Sequence, residues 1–92
     1  MRSDVILTMS RENKPNYNII KDHIYENYDT FLQESPFTSD ETLVFIGVID
    51  NLSWETLYSF LREINWNHPD EVQLMIKENG LDDYFQSYRV LS

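Results

Sequence analysis

A chain of 92 residues, 41% hydrophobic and 14% aromatic, is long enough for one domain with one core and too apolar to stay disordered. It contains no cysteine, which excludes disulfides, a thiolate nucleophile and cysteine-based zinc or iron–sulfur sites. The net charge is −9 and unevenly spread: residues 1–21 carry four basic and two acidic groups, residues 22–92 three basic and fourteen acidic. Such a surface repels phosphate, so direct nucleic-acid binding and anionic membranes are not expected, whereas basic protein surfaces are attracted. The opening residues are too short and polar a run for a signal peptide, and no stretch has transmembrane length. The expectation is a cytoplasmic protein, compact over residues 1–92.

In chain order, residues 4–10 read as a first strand with Val5, Ile6, Leu7 and Met9 as its apolar content, and 11–16 as a polar turn around Pro15. Residues 16–34 read as the clearest helix. Tyr17, Ile20, Ile24, Tyr28 and Phe31 recur at spacings of three and four, flanked by Ile19, Tyr25 and Leu32. Asp22, Glu26, Asp29 and Gln33 repeat at the same spacings on the back, which makes an acidic ridge. Residues 35–40, with Pro36 and Phe37, stop that helix. Thr42–Asp50 is a continuous run rich in Val, Ile and Phe, as expected of a strand at the centre of a small sheet and buried on both faces.

Asn51 or Ser53 can cap a second helix over 54–64, with Trp54, Leu57, Tyr58, Leu61 and Ile64 on one face and Glu55, Ser59, Arg62 and Glu63 on the other. Residues 69–79 have two readings. Val72, Leu74 and Ile76 alternate with polar residues as a strand would. Pro69 at a first helical position, Asp70 and Glu71 in the first turn and Gly80 just past the end favour a helix, and the punctuation decides for helix. Residues 83–91 close the chain as a strand. The expected fold is therefore α/β, or α+β, with a three-stranded, at least partly parallel sheet and about three helices, in the order β-α-β-α-α-β.

Chemistry-bearing patterns are sparse. His23 and His68 match no metal-binding spacing, and Asp82-Asp83 with Glu78 reads as a turn held by side-chain hydrogen bonds rather than a cation loop. No serine sits in a nucleophile elbow, and two glycines do not make a phosphate cradle. Gly47, inside a strand, marks a bulge or the close approach of a helix. No enzyme activity, metal or cofactor is expected. Trp66, in a polar stretch between the last two expected helices, and Tyr25 and Tyr84 combine contact area with a polar handle.

The element order and the acidity resemble the barstar family of small acidic ribonuclease inhibitors across most of the chain, with no shared motif that transfers residue by residue. The resemblance implies a non-catalytic inhibitor that sits on a basic enzyme surface. Charge and composition point the same way: an immunity protein, antitoxin or phage-encoded antagonist such as an anti-CRISPR protein, occupying the basic groove of a nuclease or other nucleic-acid enzyme as a nucleic-acid mimic. The expected contacts are Asp22, Glu26 and Asp29 on the first helix and Trp66, Asp70 and Glu71 at the helix–helix junction. The other reading is an assembly subunit or adaptor that uses an apolar surface, as a monomer or a homodimer formed through an exposed sheet edge.

Overall fold

The computed structural model describes residues 2–36 and 38–91; the expected helix stop at Phe37 lies outside the described residues. Five strands and two helices follow one another as β1 (Arg2–Ser10), α1 (Lys14–Tyr28), β2 (Gln33–Glu34), β3 (Thr42–Asp50), α2 (Trp54–Glu63), β4 (Gln73–Glu78) and β5 (Gln86–Arg89). Short 3₁₀ turns occupy Arg11–Asn13 and Pro69–Glu71. The strands form one sheet in the order β2-β3-β1-β4-β5, antiparallel at every pairing.

This corrects the three-stranded, partly parallel sheet with three helices. A crossover helix returns the chain in the direction of the strand it left, and β2 does run as β1 does and β4 as β3 does, but neither pair is hydrogen-bonded. Here, however, each crossover skips one position, and the slot is filled by an antiparallel strand of the other unit. β1-α1-β2 leaves room for β3, and β3-α2-β4 leaves room for β1. Two such interleaved split β-α-β units make the ferredoxin-like connectivity, and β5 is added outside β4. The barstar resemblance rested on an element order that does not form, so it loses its basis. β1, not β3, takes the central position.

Residues 69–79 are the second correction. The Pro69, Asp70 and Glu71 signals produce only a 3₁₀ turn, after which the chain alternates as β4. Leu74 and Ile76 face the helices, and Val72, just before the strand, is buried with them. Period-two burial against a whole sheet outweighs end signals worth a few tenths to about 1 kcal/mol each. Gly80 does adopt a positive φ, 93°, but in the turn that leaves β4.

The helices lie on one face of the sheet. Val5, Leu7 and Met9 of β1, Leu43, Phe45 and Ile49 of β3, and Leu74 and Ile76 of β4 meet Tyr17, Ile20 and Ile24 of α1 and Leu57 and Leu61 of α2 in one buried cluster. Each such side chain contributes roughly 1.5–3 kcal/mol relative to exposure. β3 is buried on this face only, not on both: Ile46 and Val48 are 42% and 45% exposed.

α1 ends at Tyr28, six residues short of the expected 34. Asp29 turns left-handed (φ 54°), and its N–H donates to the Tyr25 carbonyl at 2.9 Å. The chain can then fold back as residues 30–34 along β3. Leu32 is buried there, and the Tyr17 hydroxyl, stacked on Phe45, donates to its carbonyl at 3.1 Å. Gly47 permits that approach: a Cβ at this position would lie 2.7 Å from Leu32 Cδ2 and 3.3 Å from the Phe31 carbonyl oxygen. The glycine does mark a close approach, by this returning segment.

Candidate functional site

Strand pairing sorts every sheet residue onto one of two faces. On the face without helices, Ile46, Ile6 and Met75 form an apolar row across three strands, with Val44 and Val48 on either side of Ile46 along β3. The charged residues of that face are Arg2, Lys77 and Arg89 against Asp4 and Asp50, a net of +1. Every other charge belongs to the helical layer, loops and sheet ends, which together carry four cations and fourteen carboxylates, a net of −10. The acidity is segregated by the fold.

Within the helical layer a groove between α1 and α2 carries two of these acids, Glu55 and Glu63. It is a concavity of ≈360 Å³ lined by His23 from α1 and by Glu55, Thr56, Ser59, Phe60 and Glu63 from α2. The imidazole of His23 stacks on the Phe60 ring, with centroids 3.9 Å apart. Burial pushes the His23 pKa below its ordinary value, against the opposing pull of the Glu26 carboxylate. Asn27 approaches His23 Nδ1 at 3.3 Å, whereas Nε2 is buried with no hydrogen-bond partner. Asp22 and Glu26 are exposed beside His23 on α1, and Asp29 is exposed at its end. The acids that line the groove are thus Glu55 and Glu63 of α2, with Glu26 close enough to act on His23, whereas Asp22 and Asp29 stand outside the lining.

The anionic field reaches β5. Burial raises the pKa of Tyr88, and the carboxylates of Asp82, Glu55 and Glu78 push it the same way. Tyr88 also stacks on Trp54, and the Tyr58 hydroxyl donates to the Arg89 carbonyl at 2.7 Å, which fastens β5 to α2.

The second expected contact set divides. Asp70 and Glu71 are exposed at the far end of the sheet, where Glu71, Glu12, Asp40 and Glu41 surround Arg11. That guanidinium is tied to the carbonyls of Ser39 and Asp40, at 2.8 and 2.9 Å, so a cation already sits among these acids. α1 starts at this end and runs away from it for about 20 Å, so Asp29 and Glu71 share no face. Trp66 is 5% exposed, and its indole N–H donates to the Leu61 carbonyl at 2.8 Å. It satisfies the end of α2 from inside the core, and burial takes it out of the contact surface. Tyr25 and Tyr84 are exposed at 50% and 71%; Tyr25 stacks on Phe31, over which the Lys21 ammonium lies 5.4 Å from the ring centroid.

His68 is structural. Its backbone N–H donates to Asn13 Oδ1 and its carbonyl accepts from Asn13 Nδ2, while its imidazole pairs with Glu12. Asp82 accepts the Glu78 N–H at 2.9 Å, the turn role read from the sequence. Among the described residues no group of three or more His, Asp or Glu could hold a metal ion, and no helix is long and apolar enough to cross a membrane. The α2 wall of the groove is what sequence reasoning missed. Glu55 and Glu63 were legible as a polar helix face, but not as neighbours of α1. Comparison with known proteins finds no matching family model, curated protein or solved structure.

Proposed function

We propose that this protein is a non-catalytic inhibitor that binds a basic protein, of the kind that handles nucleic acid, through its helical face. The groove between α1 and α2 receives arginine or lysine side chains that otherwise hold phosphates. The observation that carries this reading is the charge segregation: the sheet face nets +1 and the remainder −10.

Two features support the groove. Its lining presents Glu55 and Glu63, with Glu26 near enough to act on His23 and Asp22 exposed further round α1; the ion pairs among the described residues are Arg2–Asp50 and His68–Glu12, so none of these four carboxylates has an ion-pair partner there. Carboxylates so placed reproduce the charge, though not the geometry, of a phosphate row, and opposite fields speed encounter. Holding so many like charges on one layer costs stability, and a cationic partner would relieve that cost.

The test is a pull-down from lysate of the source organism with wild-type bait and a charge-reversed bait carrying Asp22→Lys, Glu26→Lys and Asp29→Lys. The expected result is a basic nucleic-acid-handling protein on the first bait and its loss on the second. The retrieved enzyme should be inhibited by the wild-type chain, and binding should weaken at least about tenfold between low and high salt as the Debye length shrinks. Equal retrieval by both baits would sink the reading.

A further inference from the structure

We propose that the helix-free face of the sheet is a self-association surface on which two copies of this chain pack face to face, independently of the acidic groove. The row Ile46–Ile6–Met75 crosses the middle of that face, and Val48 beside it is 45% exposed. On the same strand Leu43 and Ile49, turned the other way, are fully buried. A strand that keeps large aliphatic side chains on both faces has the pattern of a strand covered on both, and among the described residues only the segment around Thr30, Phe31 and Gln33 approaches the second, at one side.

Charge selects the occupant. Two copies meeting through the helical layer or the sheet ends would set carboxylates against carboxylates, since those surfaces carry a net of −10. The sheet face nets +1 and mixes its signs: Lys77 lies directly across the β1–β4 pairing from Asp4, and Arg2 pairs with Asp50 at 3.4 Å. It is the surface of this chain with the least net charge to repel a second copy. Nucleic acid is a poor alternative, because the face offers only three cations, offset by two carboxylates, and the Phe31 ring at its edge is already stacked on Tyr25.

Shape and area fit a modest interface. The five strands hold nine, two, nine, six and four residues, which at about 3.3 Å rise and about 4.8 Å spacing give a flat footprint of roughly 475 Å² before side-chain relief, against the ~800 Å² per partner of a standard interface. The face is not flat at its β2 side. A concavity of ≈510 Å³ there is floored by Ile6, Ile46 and Val48 and walled by Phe31. A two-fold axis parallel to the strands, between the copies and above β1, lays β4 of one copy over β3 of the other. Met75 of the first then stands over Ile46 of the second, at the concavity. A flexible thioether side chain is suited to such a gap, and the arrangement is isologous and closed.

Sedimentation equilibrium on the full chain tests this. The expected mass is twice the 11.1 kDa of one chain. Ile46→Lys with Val48→Lys, both at exposed positions, should lower it twofold while far-UV circular dichroism and the thermal transition persist; Met75→Lys should weaken the dimer in the same direction. Asp22→Lys with Glu26→Lys should leave the mass unchanged, and the sheet-face variant should still capture a basic partner, so the two proposals fail separately. A monomer at every concentration up to the solubility limit overturns the proposal, and so does a dimer that survives Ile46→Lys with Val48→Lys.

Discussion

The two faces of β1 differ by one residue in register and by everything else in environment. Leu7 points at the helices and is 1% exposed; Ile6, its neighbour, points at the bare side of the sheet. The first face is closed by α1 and α2 and carries the cost of an anionic outer layer. The second is apolar at its centre and nearly neutral. A single strand therefore separates a surface made to stay apart from its own kind from one that tolerates it. Net charge alone says nothing of this, because −9 is the sum of two unlike faces.

The largest effect expected from breaking that contrast is on stability. Leu7→Ala should cost about 3 kcal/mol in denaturant unfolding, from lost burial plus the cavity left behind. Ile6→Ala, measured in a monomeric background, should cost well under half of that. Equal costs would mean that the open face is as closed as the other. Gly47→Ala should destabilise by about 1–3 kcal/mol, since the added methyl meets Leu32 Cδ2 and the Phe31 carbonyl. A neutral result would show that residues 30–34 move away without loss.

Smaller shifts sharpen the picture. Tyr17→Phe should cost about 1 kcal/mol through the bond lost to the Leu32 carbonyl. Burial, aided by the Glu34 carboxylate, holds the Tyr17 pKa up at about 12 from an ordinary 10. The folded state thus keeps a proton that the unfolded state releases, so stability falls as pH rises from 10 towards 12, and Tyr17→Phe should flatten that loss. The smallest effect belongs to His23. Its folded pKa lies below the ordinary 6.5, so the unfolded state binds the proton first, and stability falls as pH drops below about 6.5. His23→Gln should remove that slope in thermal unfolding followed from pH 7 to 5.

Much of the framework was legible in the chain. β3 ends where its apolar run ends, α2 begins at Trp54, and α1 shows its stripe, because each has enough residues for its period to stand out. Three things were not legible, for different reasons. β2 has two residues and no buried side chain of its own; it exists because Asp29 reverses the chain beside β3. β4 was hidden by good helix punctuation around a six-residue alternation. Strand direction was misjudged because a crossover helix reports where the next strand is aimed, and not whether another strand stands between. The site followed the same rule. Asp22, Glu26 and Asp29 were visible on one helix. The meeting of His23 with Glu55, Phe60 and Glu63 in a groove, and the burial of Trp66 under the end of α2, depend on helix–helix packing that no local window contains.

Interleaving the two units also decides when the sheet is finished. β1 leaves the ribosome first, but its second edge waits for β4, about seventy residues later in the register that pairs Val5 with Ile76. Until then the middle of the sheet is a rim, with unpaired amides along an aliphatic strand, and long-range closure of this kind is slow. Chains halted near residue 65 should accordingly be the ones most prone to clump or to recruit a chaperone, and release should come abruptly once β4 slots in.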